Sequence, residues 1–172
     1  MSFLSRFLGL GSDPREELRA LWHGIVTTSR EAEWYAGCGV DDSVEGRFDM
    51  ITLVLSLTLL RMENSAELAP KTGRLTELFV ADMDRQLRDA GVGDLMVGKK
   101  MGKLVSALGG RIGALREAMV ESDAALAVIL QRNMTLLDND KKPFALAVRT
   151  RALHNDLAAQ DDSALLTGTL RP

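Results

Sequence analysis

One stretch of the sequence has the spacing of a phosphate-binding loop. Gly93, Gly98 and Lys99 match the pattern G-x-x-x-x-G-K, in which backbone N–H groups cradle phosphates and the lysine neutralises their charge. Lys100 stands where that loop needs a serine or threonine hydroxyl to hold magnesium. The preceding residues also have helical periodicity, whereas a phosphate-binding loop follows a strand. We therefore interpret the stretch as a loop and helix start in which glycines permit sharp turns.

Paired carboxylates and a thiol suggest two other kinds of chemistry. Asp82 and Asp84 form a D-x-D pattern, but residues two apart on a helix point about 200° away from each other. Because they cannot clamp one ion, we predict ion pairs with Arg85 and Arg88 instead. Cys38 is the single cysteine, and no histidine lies near it in sequence to act as a base. We therefore predict no catalytic residue, no metal site and no cofactor.

Positive charge is concentrated in the segment 95–120. This segment has one acid, Glu117, whereas the whole chain has a net charge of −3. The segregation allows two interpretations: an ordinary solvated helix face, or a basic surface for an acidic partner, RNA or lipid headgroups. The negative net charge argues against DNA as a partner, and Phe144 is the only aromatic residue after Phe79, so a base-stacking platform is not available. The basic residues are Lys99, Lys100, Lys103, Arg111 and Arg116.

The elements that must position these residues are predicted to be helices. In 172 residues, Leu and Ala total 47 and Val and Ile total 15, a ratio that favours helix over strand. Apolar periodicity, capping residues and glycine or proline breaks predict an all-α, single helical bundle domain of about six to seven helices. The predicted helices cover 13–36, 43–63, 72–90, 95–120 with a bend at Gly109-Gly110, 123–134 and 143–159.

The helix over 43–63 is predicted to be central, because it is apolar on most of its circumference. The chain is expected to comprise a short amphipathic arm over 1–12, the helical domain over 13–159 and a frayed tail over 160–172, with docking of Leu165 and Leu166 as the alternative for the tail. The arm is expected either to pack on its own domain or fray, or to act as a short foot in a membrane interface. The longest apolar run, Met50–Leu60, is eleven residues and is too short to cross a bilayer, which needs about 20.

A family resemblance is carried by four segments of the sequence, Trp34-Tyr35, Gly39–Met50, Asp82–Asp94 and Val97–Met101. Together they resemble the ubiquinol–cytochrome c chaperone family, whose members assist assembly of respiratory complex III. The resemblance covers about residues 18–155, and the short stretches W-Y, G-R-F-D and D-R-x-L-R-x-x-G-V-G-D are the most specific. It implies an all-helical, non-catalytic chaperone that binds newly made cytochrome b and passes it on for haem insertion.

The resemblance also implies a location and partners. Mitochondrial relatives carry presequences and work with a ribosome and a small partner protein. We expect this chain to resemble the short alphaproteobacterial form, cytoplasmic and at the inner face of the cytoplasmic membrane. A contact with a ribosome or a small assembly partner stays open. Two alternatives to a chaperone are a helical enzyme acting on a quinone-like or polyprenyl substrate and a generic adaptor unrelated to respiration.

A client with transmembrane segments calls for an exposed apolar patch with a polar rim. The predicted apolar residues of that patch are Trp34, Tyr35, Met96 and Met101. The predicted rim consists of Asp82, Arg85, Asp94, Lys99 and Lys100, and Arg47 and Asp49 flank Phe48 at the start of the central helix. The alternative is that these residues hold the fold.

Overall fold

Helices build the architecture of residues 13–137 and 142–172, which are the residues that the computed structural model describes. Six of the helices have at least eleven residues, and the described ranges contain no β-strand, so the all-α prediction is confirmed. A 3-10 turn over Glu16–Leu18 precedes the first helix. The helices are α1 (Arg19–Ser29), α2 (Ala32–Ala36), α3 (Val44–Glu63), α4 (Thr72–Asp89), α5 (Asp94–Ala118), α6 (Asp123–Asn133), α7 (Pro143–Ala159) and α8 (Asp162–Leu166).

Helix α3 lies at the centre of the bundle, as its composition predicted. It contacts α1, α4, α5 and α7, and every residue from 51 to 60 is buried. Ser43 caps the helix by accepting a hydrogen bond from the backbone N–H of Gly46. The buried hydroxyls of Ser56 and Thr58 donate to carbonyl oxygens one turn earlier, at 2.6 and 2.9 Å. The polar residues of this helix therefore stay satisfied inside an apolar core.

The single helix predicted over 13–36 is wrong, because the chain breaks between α1 and α2. Glu31 adopts extended backbone angles, with φ −58° and ψ 129°. The indole Nε1 of Trp34 donates to the carbonyl oxygen of Thr28 at 2.7 Å, which satisfies an acceptor at the end of α1. Apolar periodicity continues across the break and so concealed it.

Helix α4 ends as predicted, and α5 is uninterrupted. Gly91 has a φ of +79°, the left-handed conformation that glycine adopts at little cost just after a helix. Helix α5 continues through Gly109 and Gly110, at which the sequence predicted a bend.

The frayed tail predicted over 160–172 is wrong, since helix α8 anchors it. Arg61 donates from Nε to the carbonyl oxygen of Leu157 at 3.0 Å and from Nη2 to that of Gln160 at 2.8 Å. The same guanidinium pairs with the Asp162 carboxylate at 2.8 Å. Ser65 donates to the other oxygen of that carboxylate. This hydrogen bond is the main reason why the pKa of Asp162 is lowered.

The tail also packs closely against α1. Leu165 and Leu170 are buried, and Gly168 has a φ of +88°. A Cβ atom added to Gly24 would collide with the carbonyl oxygen of Gly168. The two glycines therefore allow the backbones of α1 and the tail to touch. The predicted arm over 1–12 lies outside the described residues.

Candidate functional site

Trp34, predicted to lie on an exposed patch, is instead fully buried. The guanidinium groups of Arg149 and Arg171 lie 4.7 and 5.9 Å from the centroid of its ring. Both arginines donate to the same carboxylate oxygen of Glu31, at 2.8 and 2.6 Å. Trp34 thus joins the break after α1 to helix α7 and to the end of the chain, which is a structural role.

Tyr35 and Arg47 lie at the edge of the loop that links α2 to α3. Tyr35 is half-buried, and its hydroxyl donates to the carbonyl oxygen of Ser29 at 2.9 Å. Burial raises the pKa of Tyr35, and the negative charge of Asp42 adds to that effect. Arg47 is exposed and pairs with Asp42 at 2.6 Å, which lowers the pKa of the Asp42 carboxyl. Both predicted residues therefore reach the surface, beside one acid.

Asp49, by contrast, is the centre of a partly buried polar network. Its Oδ1 pairs with Nη2 of Arg111 at 2.8 Å, and its Oδ2 accepts from the backbone N–H and the hydroxyl of Thr135, both at 2.8 Å. Arg111 also donates to the hydroxyl of Thr52 and to the carbonyl oxygen of Asn133. The network connects α3 and α5 to the end of α6, so Asp49 holds the fold together. Sequence reasoning counted Arg111 only among the basic residues of its segment.

Ion pairs occupy the predicted rim on α4. Asp82 pairs with Arg85 at 2.5 Å and Asp84 with Arg88 at 2.7 Å, which confirms the predicted pairs. Arg88 also pairs with Asp94, the first residue of α5. Because these charges neutralise each other at the surface, this corner presents little net charge to a partner.

The outer side of α5 carries exposed residues at helical spacing. Among them, Met96 was predicted to join an apolar patch with Met101, but Met101 is buried in the core. With Trp34 also buried, the predicted patch does not form. What remains is a basic surface with two apolar residues at one end. We call it the lysine face, and it comprises Leu95, Met96, Lys99, Lys100 and Lys103.

A second exposed apolar surface lies on the α6–α7 hairpin, and sequence reasoning missed it. Helices α6 and α7 contact each other extensively. Arg151 of α7 pairs with Asp123 of α6, so these two positions lie opposite each other. The antiparallel register therefore brings Val128 near Val148, and Phe144 lies one turn from Val148. We call this surface the apolar patch, and it comprises Val128, Leu137, Phe144 and Val148, each 45 to 54% exposed.

A short backbone pairing joins the apolar patch to the loop after α2. The N–H of Asp41 donates to the carbonyl oxygen of Thr135 at 3.0 Å, and that of Leu137 donates to the carbonyl oxygen of Gly39 at 2.9 Å. Lys142 Nζ donates to the carbonyl oxygen of Ala36 at 3.2 Å. The patch therefore adjoins the loop that separates Tyr35 from Arg47. No local sequence signal reveals this pairing, because its two sides are almost 100 residues apart.

The groups capable of chemistry are few in the part of the chain that the structure describes. The Cys38 thiol is buried, and burial raises its pKa, so the thiol is protonated at neutral pH. No three His, Cys, Asp or Glu side chains within 13–137 and 142–172 are grouped as metal ligands would be. In the same ranges, no helix combines the length and the apolar composition that a membrane span requires.

Comparisons with known proteins agree with the all-helical fold. The chain is similar to a Cbp3 homolog from Brucella abortus, known from a crystal structure, with a TM-score of 0.78 and 29% sequence identity over 97% of this chain and 94% of that one. A comparison with curated protein sequences finds no significant match. A family model described as ubiquinol-cytochrome C chaperone matches residues 36–172. Because that match spans most of the chain, the chain belongs to the ubiquinol-cytochrome C chaperone family.

Proposed function

We propose that this chain binds newly made cytochrome b through the apolar patch and thereby assists assembly of respiratory complex III, without catalysing a reaction. Membership of the family supports a chaperone role in complex III assembly. The observation that supports binding of a client at this surface is the patch itself, which is exposed and apolar on an otherwise well-packed bundle. The resemblance of the motifs to that family is the basis for proposing cytochrome b as the client.

The chemistry of the patch suits an apolar client. A membrane protein that has not yet been inserted exposes apolar side chains, and burying these against another apolar surface is favourable by roughly 25 cal/mol per Å². Phe144 supplies a large exposed aromatic ring, the type of residue that often anchors an interface. Val128 and Val148 extend that surface on the two helices, and Leu137 extends it beyond the end of α6. This location replaces the patch of Trp34, Tyr35, Met96 and Met101 that the sequence predicted.

Polar residues next to the patch supply a candidate rim. Leu137 is hydrogen-bonded to the loop between α2 and α3, and Tyr35 and Arg47 lie on either side of that loop. These two therefore remain candidates for contact with the client. Asp82, Arg85 and Asp94 lie in the ion pairs of α4 and α5 and do not adjoin this loop. The proposed place of action is the cytoplasmic side of the membrane that receives cytochrome b.

Deleting the gene tests the function. We expect a strain that lacks it to lose most haem-loaded cytochrome b, measured from reduced-minus-oxidised absorbance spectra of membranes, while other cytochromes stay at normal levels. A wild-type copy should restore the spectrum. Normal cytochrome b in the deletion strain would contradict the proposal, and equal loss of every cytochrome would indicate a general defect in respiration.

Site-specific photo-crosslinking tests the surface. A photoreactive residue at Phe144 or Val148 is expected to crosslink to newly synthesised cytochrome b. Val120 is a matched control, because it is exposed and apolar but lies at the opposite end of the α6–α7 hairpin. Crosslinks that arise only from Val120, or equally from all three positions, would contradict the assignment of the patch.

A further inference from the structure

Helix α5 carries positive charge that the rest of the described chain does not neutralise. From residue 95 to residue 116 the sequence contains no acid. The two arginines of this helix are paired, Arg111 with Asp49 and Arg116 with Glu63 at 2.6 Å. Within 13–137 and 142–172, the three lysines of the lysine face have no carboxylate within ion-pair distance, and all three are exposed. The unneutralised charge of α5 therefore lies on one surface.

Two apolar side chains share that surface. Leu95 is 91% exposed and Met96 is 48% exposed, one turn before Lys99 and Lys100. With 3.6 residues per turn, positions 95, 96, 99, 100 and 103 fall on one side of the helix. The opposite side, which includes Val97 and Met101, packs into the core. An exposed helix side that combines lysines with large apolar residues has the composition of an interfacial helix.

Nothing else in the described chain covers this side of α5. A Cβ atom added to Gly98, Gly102, Gly109 or Gly110 would meet no atom within 4 Å. Gly110 lies within the lysine face and the other three glycines lie beside it, so no neighbouring part of the described chain stands between the lysine ammonium groups and a flat, charged surface.

We propose that the lysine face docks on an anionic bilayer surface, with the lysine ammonium groups against lipid phosphates and Leu95 and Met96 in the interface. Charge complementarity favours a negatively charged partner. RNA is disfavoured because no aromatic residue lies on α5 to stack on bases. An acidic peptide would leave Leu95 unexplained, whereas an interface buries it. The inference rests on α5 alone and goes beyond the proposed binding of cytochrome b through the α6–α7 hairpin.

Vesicle flotation with the full-length protein tests this inference without any client. We expect binding to phosphatidylcholine vesicles that contain phosphatidylglycerol, no binding to phosphatidylcholine alone, and weaker binding as salt increases. Near an anionic surface each lysine contributes about 1 kcal/mol, or roughly a fivefold change in partitioning. The variant K99Q/K100Q/K103Q should therefore bind roughly 100-fold more weakly. The variant L95S/M96S should bind more weakly at every salt concentration.

The matched control removes the same charge from other surfaces. In R30Q/R74Q/R132Q, three exposed arginines of the α1–α2 connection, α4 and α6 are neutralised, and this variant should keep most of the wild-type binding. Circular dichroism spectra show whether each variant is folded. Equal losses in the two triple variants, or wild-type binding that does not depend on phosphatidylglycerol, would overturn the proposal. It would also be overturned if the wild type ignored vesicles but bound polyglutamate or RNA.

Discussion

Replacing Asp49 with alanine should destabilise the protein strongly, because it leaves the buried guanidinium of Arg111 without its carboxylate partner. The Arg111 side chain is 9% exposed and that of Asp49 is 14% exposed. Removing one partner of such a pair typically costs about 3–5 kcal/mol, since the remaining charge has no water to replace the lost partner. Thr135 also loses the acceptor of its N–H and its hydroxyl. Arg111 retains two carbonyl acceptors, so we expect a cost near the lower limit, about 3 kcal/mol.

Urea unfolding followed by circular dichroism measures this cost. In thermal unfolding of a chain of this size, the same cost of about 3 kcal/mol corresponds to a decrease in Tm of roughly 6–12 °C. The loss of unfolding free energy in the double variant D49A/R111M should be smaller than the sum of the losses in D49A and R111M, because the double variant has no unpaired Arg111 charge. We expect this coupling to exceed about 1 kcal/mol.

Arg47→Ala is the matched control, since its ion pair with Asp42 lies at the surface. Exposed pairs contribute about 0–1 kcal/mol, so this variant should be nearly as stable as the wild type. A cost below about 1 kcal/mol for D49A would refute the structural role of Asp49. If such a stable variant also failed to bind cytochrome b, the sequence-based prediction of Asp49 as a client contact would be restored.

Three further substitutions test the packing of the tail, the outer side of α5 and one carboxylate. Gly24→Ala should destabilise the protein by about 1–3 kcal/mol in urea unfolding, because its Cβ would collide with the carbonyl of Gly168; unchanged stability would show that the tail does not touch α1. Gly102→Ala should stabilise the protein by about 1 kcal/mol in thermal unfolding, since the added Cβ meets no atom; a loss of stability would reveal a contact there. The pKa of Asp162 is lowered mainly by the hydrogen bond from Ser65. The Asp162 carboxylate therefore contributes its full stability above the ordinary carboxyl pKa of about 3.9. That contribution is lost as the pH falls through the lowered pKa. The stability difference between the wild type and Asp162→Asn should therefore shrink below about pH 3.9, and a difference that grows on acidification would contradict this sign.

The central helix could be predicted from sequence because its signal is local. Eleven apolar or hydroxyl residues in a row, from Met50 to Leu60, with a capping serine before them, determine both its boundaries and its burial. The end of α4 at Gly91 is likewise set by one residue. These features need no knowledge of the partner helices, so a single sequence is enough to predict them.

The roles of Trp34 and Asp49 could not be predicted, because distant residues set them. Arg111 is 62 positions from Asp49, and Arg171, which lies over the Trp34 ring, is close to the end of the chain. A tryptophan after a helix and an aspartate on a polar stripe look equally suited to a surface contact. Only the packing of the bundle shows that both are structural.

The polar contacts that anchor the tail and the exposure of the apolar patch were missed for the same reason. Arg61, about 100 positions away, donates to the carbonyl oxygen of Gln160 and pairs with the carboxylate of Asp162 in the tail. Exposure of Val128 and Phe144 depends on the register between α6 and α7, which the ion pair of Arg151 sets. Periodicity reveals which residues share a helix face, but it does not reveal which faces remain uncovered.

The most direct measurement is the amount of newly synthesised cytochrome b that co-purifies with the tagged protein. Radiolabelled cytochrome b should co-purify with the wild type and with the control V120S, and the double variant F144S/V148S should lose most of it while remaining folded and equally abundant. Equal recovery with all three proteins would contradict the apolar patch as the binding surface. No recovery with the wild type would contradict the central claim that this protein binds cytochrome b during complex III assembly.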